Sequence, residues 1–347
     1  MSGAAPRTAR TARTATDPAY SLAGLQAAAR SVHAVMPATP QYRWPQLEAA
    51  LAQRPGDATA LWLKHENHSP VGAFKIRGGI VYFDRLAAAG QLPAGVVSAT
   101  RGNHGQSIAF AAARHGLPVL IVVPHGNSRE KNAAMRALGA ELLEAGDDFQ
   151  AAREHAQTLA DQRGWWMVPS FHPDLVAGVA SYALELFAAA PSLDEVYVPI
   201  GMGSGACGLI AARDALGLAT AIVGVVSSGA PAYALSLAQG RPVTHAVTTQ
   251  LADGMACRTP DGDALTMLQG GLARVVSVTD SEVAQAMRLL FETTHQVAEG
   301  AGAAALAAAW QDKGRLAGRR TALVLSGGNV DRDVFAGVLS GALFQEA

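Results

Sequence analysis

The run Ser69-Pro-Val-Gly-Ala-Phe-Lys-Ile-Arg-Gly-Gly79 sets one lysine, Lys75, between Phe74 and Ile76, with Pro70, Gly72, Gly78 and Gly79 around it. Apolar neighbours strip water from an ammonium, which favours the neutral amine and makes it a nucleophile. The chemistry that most needs such an amine is a Schiff base with an aldehyde-bearing cofactor. The proline and glycines read as a loop holding the lysine. Alone the segment is a weak signal, because most lysines keep the ammonium in water above a buried stem.

Three further motifs lie downstream. Ser98-Ala-Thr-Arg-Gly-Asn-His-Gly-Gln-Ser107 joins a strand to a helix, where free N–H groups and the helix dipole favour a carboxylate. Taken alone it is also an ordinary βα turn with Asn103 as N-cap. Val196-Tyr-Val-Pro-Ile-Gly-Met-Gly-Ser-Gly-Ala-Cys-Gly208 runs a strand through a glycine loop into a helix, an arrangement that binds phosphate through backbone amides. Gly201, Gly203 and Ala206 also fit the dinucleotide fingerprint. That alternative requires an acidic residue closing the next strand, and this strand ends Val225-Val-Ser-Ser228. The dinucleotide alternative fails. Leu323-Val-Leu-Ser-Gly-Gly-Asn-Val-Asp331 leads a last strand into glycines. Together the motifs supply an amine, a carboxylate cradle, a phosphate cradle and a hydroxyl.

The elements that must position these groups alternate. Strand candidates are 61–64, 96–100, 120–124, 141–143, 196–200, 222–227 and 322–326. Helical patterns cover 105–115, 129–138, 148–162, 176–189, 206–216, 280–297 and 301–310. Such alternation implies right-handed crossovers and parallel sheet with helices on both faces. Ligands then sit where strand C-termini meet helix N-termini, and every glycine-rich motif falls at such a junction. With 347 residues, half of them apolar and 16% charged, the chain has room for two domains of an ordinary enzyme. A formal net charge of −1 gives no field that would draw nucleic acid or an anionic membrane. Cys207 and Cys257 form no metal-type cluster, and a reduced, cytoplasmic setting follows. Arg7, Arg10 and Arg13 sit in an acid-poor N-terminal stretch without the apolar core of a secretory signal, expected to be a disordered tail. No apolar run reaches the ~20 residues that span a bilayer. No regulatory domain is expected after the last strand.

With four motifs in order, the sequence from about Trp44 onward resembles the fold-type II pyridoxal-phosphate enzymes of the serine/threonine dehydratase and serine racemase group. The resemblance implies an α/β fold like that of tryptophan synthase β, with two parallel-sheet domains and pyridoxal 5′-phosphate between them. Residues 36–85 plus 172–347 would form the large cofactor-binding domain, 86–171 a small mobile domain, and 1–35 the tail. It implies that Lys75 carries the cofactor with Phe74 beside it. Asn103 would bond the cofactor's 3′-oxygen, and the loop Gly201, Met202, Gly203, Ser204 and Gly205 would cradle its phosphate. Ser326 would face the pyridine nitrogen. Thr100, Arg101, Gly102, Asn103 and His104 would hold the substrate α-carboxylate. Leu251-Ala-Asp-Gly-Met255 and Glu299-Gly-Ala-Gly302 look like family landmarks on the large domain's site wall. A homodimer is the family expectation.

A serine opposite the pyridine nitrogen is neutral, which makes the ring a modest electron sink and favours prompt expulsion of a β-substituent. The expected reaction is therefore α,β-elimination of water from a β-hydroxy amino acid such as L-threonine or L-serine, giving a 2-oxo acid and ammonium. Alternatives are another β-hydroxy acid (3-hydroxyaspartate or a bulkier analogue), racemisation, or a catalytically silent pyridoxal-binding protein. Arg101 stands where family racemases have a serine, and an arginine does not exchange protons readily. It could hold the α-carboxylate, hold a second acidic group, point to solvent or pair structurally. Ala73 replaces a serine common in relatives. Ser227-Ser-Gly-Ala-Pro-Ala-Tyr233 lacks the carboxylates of metal-activated relatives, so no metal site is expected there. His65, Glu66 and His68 have the wrong spacing for a helical zinc motif and are expected on the surface or a wall. Trp165 and Trp166 are expected to pack at a strand's start, Ser170, Phe171 and His172 to line the substrate side, and Cys207 to be a small buried residue.

Overall fold

Ten strands form two sheets in the computed structural model, which describes residues 18–344 apart from 53, 55–58 and 191. In chain order they are β1 (Gln41–Arg43), β2 (Ala60–His65), β3 (Val96–Ala99), β4 (Val119–Val123), β5 (Glu141–Glu144), β6 (Trp166–Met167), β7 (Glu195–Pro199), β8 (Ala221–Ser227), β9 (Arg274–Val278) and β10 (Arg320–Leu325). One sheet runs β1-β2-β10-β7-β8-β9 and the other β5-β4-β3-β6. Only β1 is antiparallel to its neighbour; all other pairs are parallel. The central strands β4 and β7 are buried along their whole length, as strands covered on both faces must be, hence their unbroken apolar runs. Each sheet has a separate apolar core on either side: Val198 and Val324 face one way in the larger sheet, Tyr197 and Leu323 the other. In the smaller sheet Val96 and Ile121 oppose Val97 and Leu120.

Two expectations are corrected here. The stretch expected to be a tail includes a helix, Leu22–His33, capped by Ser21 and burying Leu25, Ala28 and Val32. Its apolar face packs into the core beside helix Pro173–Ala189, and that burial outweighs the absence of a strong helix signal. Residues 1–17 lie outside the described part. The lysine segment is not a loop throughout: a helix, Lys75–Ala88, begins at the lysine itself. Gly78 and Gly79 serve close packing there. A Cβ on Gly78 would come 2.7 Å from the Leu175 carbonyl oxygen, and one on Gly79 2.4 Å from Ser107 Oγ.

The His65–His68 group is corrected in part: His68 is exposed as expected, but His65 and Glu66 are fully buried. Trp44 Nε1 donates to His65 Nε2 at 3.1 Å, and burial, aided by His68, lowers the His65 pKa to about 4. Glu66 meets Arg77 in an ion pair, with Nε to Oε2 at 2.7 Å and Nη2 to Oε1 at 3.0 Å. Glu185 takes the same guanidinium at 2.6 and 2.9 Å and Lys64 Nζ at 2.6 Å. Two cations and two carboxylates thus neutralise one another beneath the lysine helix. Trp165 packs over Gly95, whereas Trp166 in β6 is 40% exposed.

Candidate active site

The turn before Lys75 is built from both ends of the chain. Ser69 Oγ accepts from the Ala73 N–H at 2.9 Å and donates to the Ala73 carbonyl at 2.8 Å. Ala73 bridges to Gly327, and the Phe74 N–H donates to the Ser326 carbonyl at 3.1 Å. The hydroxyl of Ser107 donates to the Lys75 carbonyl at 2.6 Å. The lysine backbone is therefore held by three separate elements. Its Nζ donates to Ser204 Oγ at 2.9 Å and lies 5.1 Å from the Phe74 ring centre. Burial of the amine lowers its pKa to about 8, so a useful fraction is neutral near pH 7.

The glycine loop after β7 closes the cleft opposite. Gly203 has φ of +99° and precedes helix Ser204–Ala215; this is the left-handed region that glycine tolerates. A Cβ on Gly201 would come 2.2 Å from the Gly254 carbonyl oxygen. Tyr182 and Tyr233 donate their hydroxyls to the carbonyls of Gly205 (2.9 Å) and Met202 (3.0 Å). The first N–H groups of the helix have no intrahelical acceptor and remain for an anion. A third wall is the β3 junction, where helix Asn103–Ala113 starts after Gly102. Asn103 thus occupies the first helical position rather than the cap expected of it. Thr100 Oγ1 accepts from the N–H groups of Gly102 (2.9 Å) and Gly105 (3.2 Å), so its oxygen shapes the turn and only its hydroxyl hydrogen is left for a ligand.

Residues 74–75, 100–104, 201–205 and 326 all line one open cleft enclosing about 870 Å³, its mouth included. Ser326 donates a long bond, 3.3 Å, to the Ala301 carbonyl. Asn103 Nδ2 donates to Glu299 Oε1 at 2.6 Å, and its Oδ1 accepts from Asn329 Nδ2 at 2.8 Å. That leaves Asn103 one amide hydrogen for a ligand. Of the flanking triplet, Ser170 reaches the cleft. Phe171 belongs to the core, and His172 Nδ1 accepts from the Asp174 N–H at the start of its helix. Cys207 is buried, with its thiol pKa pushed up by that burial.

Sequence reasoning missed Lys131, in helix Arg129–Ala137. Its Nζ meets Asp253 Oδ2 at 2.7 Å and Glu299 Oε2 at 3.0 Å. Burial opposes its charge, but the two carboxylates outweigh it and raise its pKa. Burial in turn raises the pKa of Glu299 against the pull of Lys131. A lysine in a polar helical turn carries no sequence signal for this, because its nearer partner, Asp253, lies 122 residues away. Among the described residues no group of three or more His, Cys, Asp or Glu is arranged to hold a metal ion, and no helix is long and apolar enough to cross a membrane.

Comparison with known proteins follows this geometry. The family described as pyridoxal-phosphate dependent enzyme matches residues 34–327. The L-threonine ammonia-lyase of Geobacter sulfurreducens is 36% identical over 281 residues, covering 78% of this chain and 67% of that one. The biosynthetic L-threonine dehydratase of Escherichia coli (strain K12) is 34% identical over 272 residues, covering 78% of this chain; the match spans about half, 53%, of the relative's length. A crystal structure of T.th. threonine deaminase superposes with a TM-score of 0.80 at 32% identity, covering 90% of this chain and 99% of that one. The cleft fits pyridoxal phosphate on its own terms: a buried amine, a glycine cradle too tight for a Cβ at Gly201, and a free amide hydrogen on Asn103 converge there.

Proposed function

The chain belongs to the pyridoxal-phosphate dependent enzymes, and on that premise we propose that it is an ammonia-lyase acting on a β-hydroxy amino acid such as L-threonine or L-serine. The observation that carries this reading is the Lys75 amine, desolvated and hydrogen-bonded to Ser204 at the mouth of a glycine cradle. When bound, pyridoxal phosphate supplies an aldehyde for amines and a ring that takes up electron density from the substrate's Cα. Phe74 and Lys75 would hold it from one side, residues 201–205 by its phosphate, Asn103 at the 3′-oxygen and Ser326 at the ring nitrogen.

Backbone N–H groups of residues 101, 103 and 104 bind the substrate α-carboxylate at the helix N-terminus, the Gly102 N–H being taken by Thr100 Oγ1. Lys75 Nζ accepts the proton from Cα. The uncharged Ser326 does not stabilise a protonated ring nitrogen as a carboxylate would, which favours prompt loss of the β-hydroxyl over transamination. The Cα–H and Cβ–O bonds break, water departs, and the enamine hydrolyses to a 2-oxo acid and ammonium. Two buried free cysteines agree with a reducing, cytoplasmic setting. The reading includes a homodimer and a small mobile unit spanning 86–171.

The test is product release: purified holoenzyme should form 2-oxobutyrate from L-threonine or pyruvate from L-serine, each with equimolar ammonium. Amino acid recovered with only its stereochemistry changed would refute elimination. A second expectation concerns the cradle. Gly201→Ala forces a Cβ against the Gly254 carbonyl, a strain of about 1–3 kcal/mol. The Kd for the cofactor should rise roughly tenfold to a hundredfold, read by absorbance titration of the apoenzyme. An unchanged Kd would remove this loop from the cofactor site.

A further inference from the structure

Among the described residues five charged side chains reach the cleft: Lys75, Arg101, Lys131, Asp253 and Glu299. Lys131 is matched by both carboxylates, and Lys75 is the reactive amine bonded to Ser204. Arg101 is left over. Among the described residues no carboxylate lies within ion-pair distance of it, and its Nε, closed off from solvent, meets no acceptor. A guanidinium keeps its charge at any working pH and presents a planar fork of donors shaped for a carboxylate. Arg101 is partly exposed, and it is the closed-off Nε alone that goes unsatisfied; an anion seated on the fork would supply the acceptor it lacks.

The α-carboxylate is not the missing anion. The start of helix Asn103–Ala113, turned by Thr100 Oγ1, already offers backbone N–H groups for it. We propose that Arg101 is a specificity-determining residue that binds a second carboxylate, carried by the substrate's side chain. The preferred substrate is then a β-hydroxy amino acid bearing a side-chain acid, the 3-hydroxyaspartate class. This deepens the ammonia-lyase reading and rests on it. The same turn presents His104 Nε2, which has no partner. Burial, with Lys75 adding to it, lowers the pKa of that ring to about 3, and its backbone bond is to Pro169. His104 Nε2 is thus an acceptor suited to a hydroxyl hydrogen. A substrate such as threonine would set a methyl group where the guanidinium finds no acceptor.

The test compares kcat/KM of the holoenzyme for 3-hydroxyaspartate stereoisomers with that for L-serine and L-threonine, in wild type, Arg101→Met and Arg101→Lys. The wild-type ratio for the preferred isomer should be about 10² or more. It should fall at least tenfold in Arg101→Met and recover in part in Arg101→Lys. Calorimetric titration of the holoenzyme with L-malate and L-lactate gives a readout free of turnover, and malate should bind at least tenfold more tightly only when residue 101 is cationic. Three results would overturn the proposal: a wild-type ratio near one, a parallel loss for every substrate, or a weakened cofactor with the ratio unchanged. The second would put the guanidinium on the α-carboxylate and the third on the phosphate. If no β-hydroxy amino acid yields a 2-oxo acid, the ammonia-lyase reading falls, and the malate-to-lactate comparison alone decides what Arg101 binds. Equal melting temperatures of the variants exclude misfolding as the cause.

Discussion

Lys75→Ala should abolish the near-ultraviolet-to-visible absorbance of lysine-linked pyridoxal phosphate and lower turnover on the order of 10⁴-fold or more. Two functions end with one side chain. In the proposed reading the amine tethers the cofactor and is the base that takes the Cα proton. Removing it should cost little stability, because the backbone at residue 75 is held by bonds that the substitution keeps: the Phe74 N–H to Ser326 and the Ser107 hydroxyl to the Lys75 carbonyl. Loss of colour and activity with an unchanged melting temperature is the expected pattern. A variant that keeps the cofactor covalently attached after borohydride reduction and denaturation would mean that another amine carries it, and the assignment of this site would be wrong.

Arg77→Met should destabilise the fold by about 3–5 kcal/mol, the usual cost of stranding a buried charge. Arg77, Lys64 and Glu66 are fully buried, and Glu185 nearly so. Without the guanidinium, two carboxylates face one ammonium. Burial works against each of these charges, and only their mutual contacts hold the Glu185 pKa below its usual value and the Arg77 pKa above its own. Adding Glu66→Leu to Arg77→Met should therefore cost less than the sum of the two single changes. Urea unfolding measures all four species. Strict additivity, or an Arg77→Met cost below about 1 kcal/mol, would show that the cluster contributes no cooperative stability. Because Arg77 lies two residues beyond Lys75, cofactor affinity should decline with stability in this variant.

How the elements and the site were readable from sequence follows from where each residue finds its partners. Strands β2, β3, β4, β5, β7, β8 and β10 are legible because most are inner strands, and burial on both faces writes a plain apolar run. The overlooked strands β1 and β9, and β6, of which only the start at Trp165 and Trp166 was expected, all lie at sheet edges. Gln41-Tyr-Arg43 and Trp166-Met167 are too short to show a period, and Arg274–Val278 alternates with solvent. Helix Lys75–Ala88 is masked by two glycines that locally favour a turn, yet they are required where neighbouring helices approach within the space of a methyl group. In the cleft, the amine, the glycine loop and the Asn103 turn each carry a local motif, and the fold sets all three around one opening. Lys131 and Asn329 stayed invisible because their importance lies in contacts with Asp253, Glu299, Asn103 and Val71, and no short-range pattern encodes such partners.

The junction between the lysine turn and β10 has a consequence for synthesis. Residues 73 and 74 dock on residues 326 and 327, and β2 pairs along its whole length with β10. A nascent chain emerging from the ribosome therefore holds its nucleophile unsecured until about 250 further residues, from 75 to 326, have been translated. With Lys75 as the proposed attachment point, capture of the vitamin would report that translation and folding have both passed Ser326.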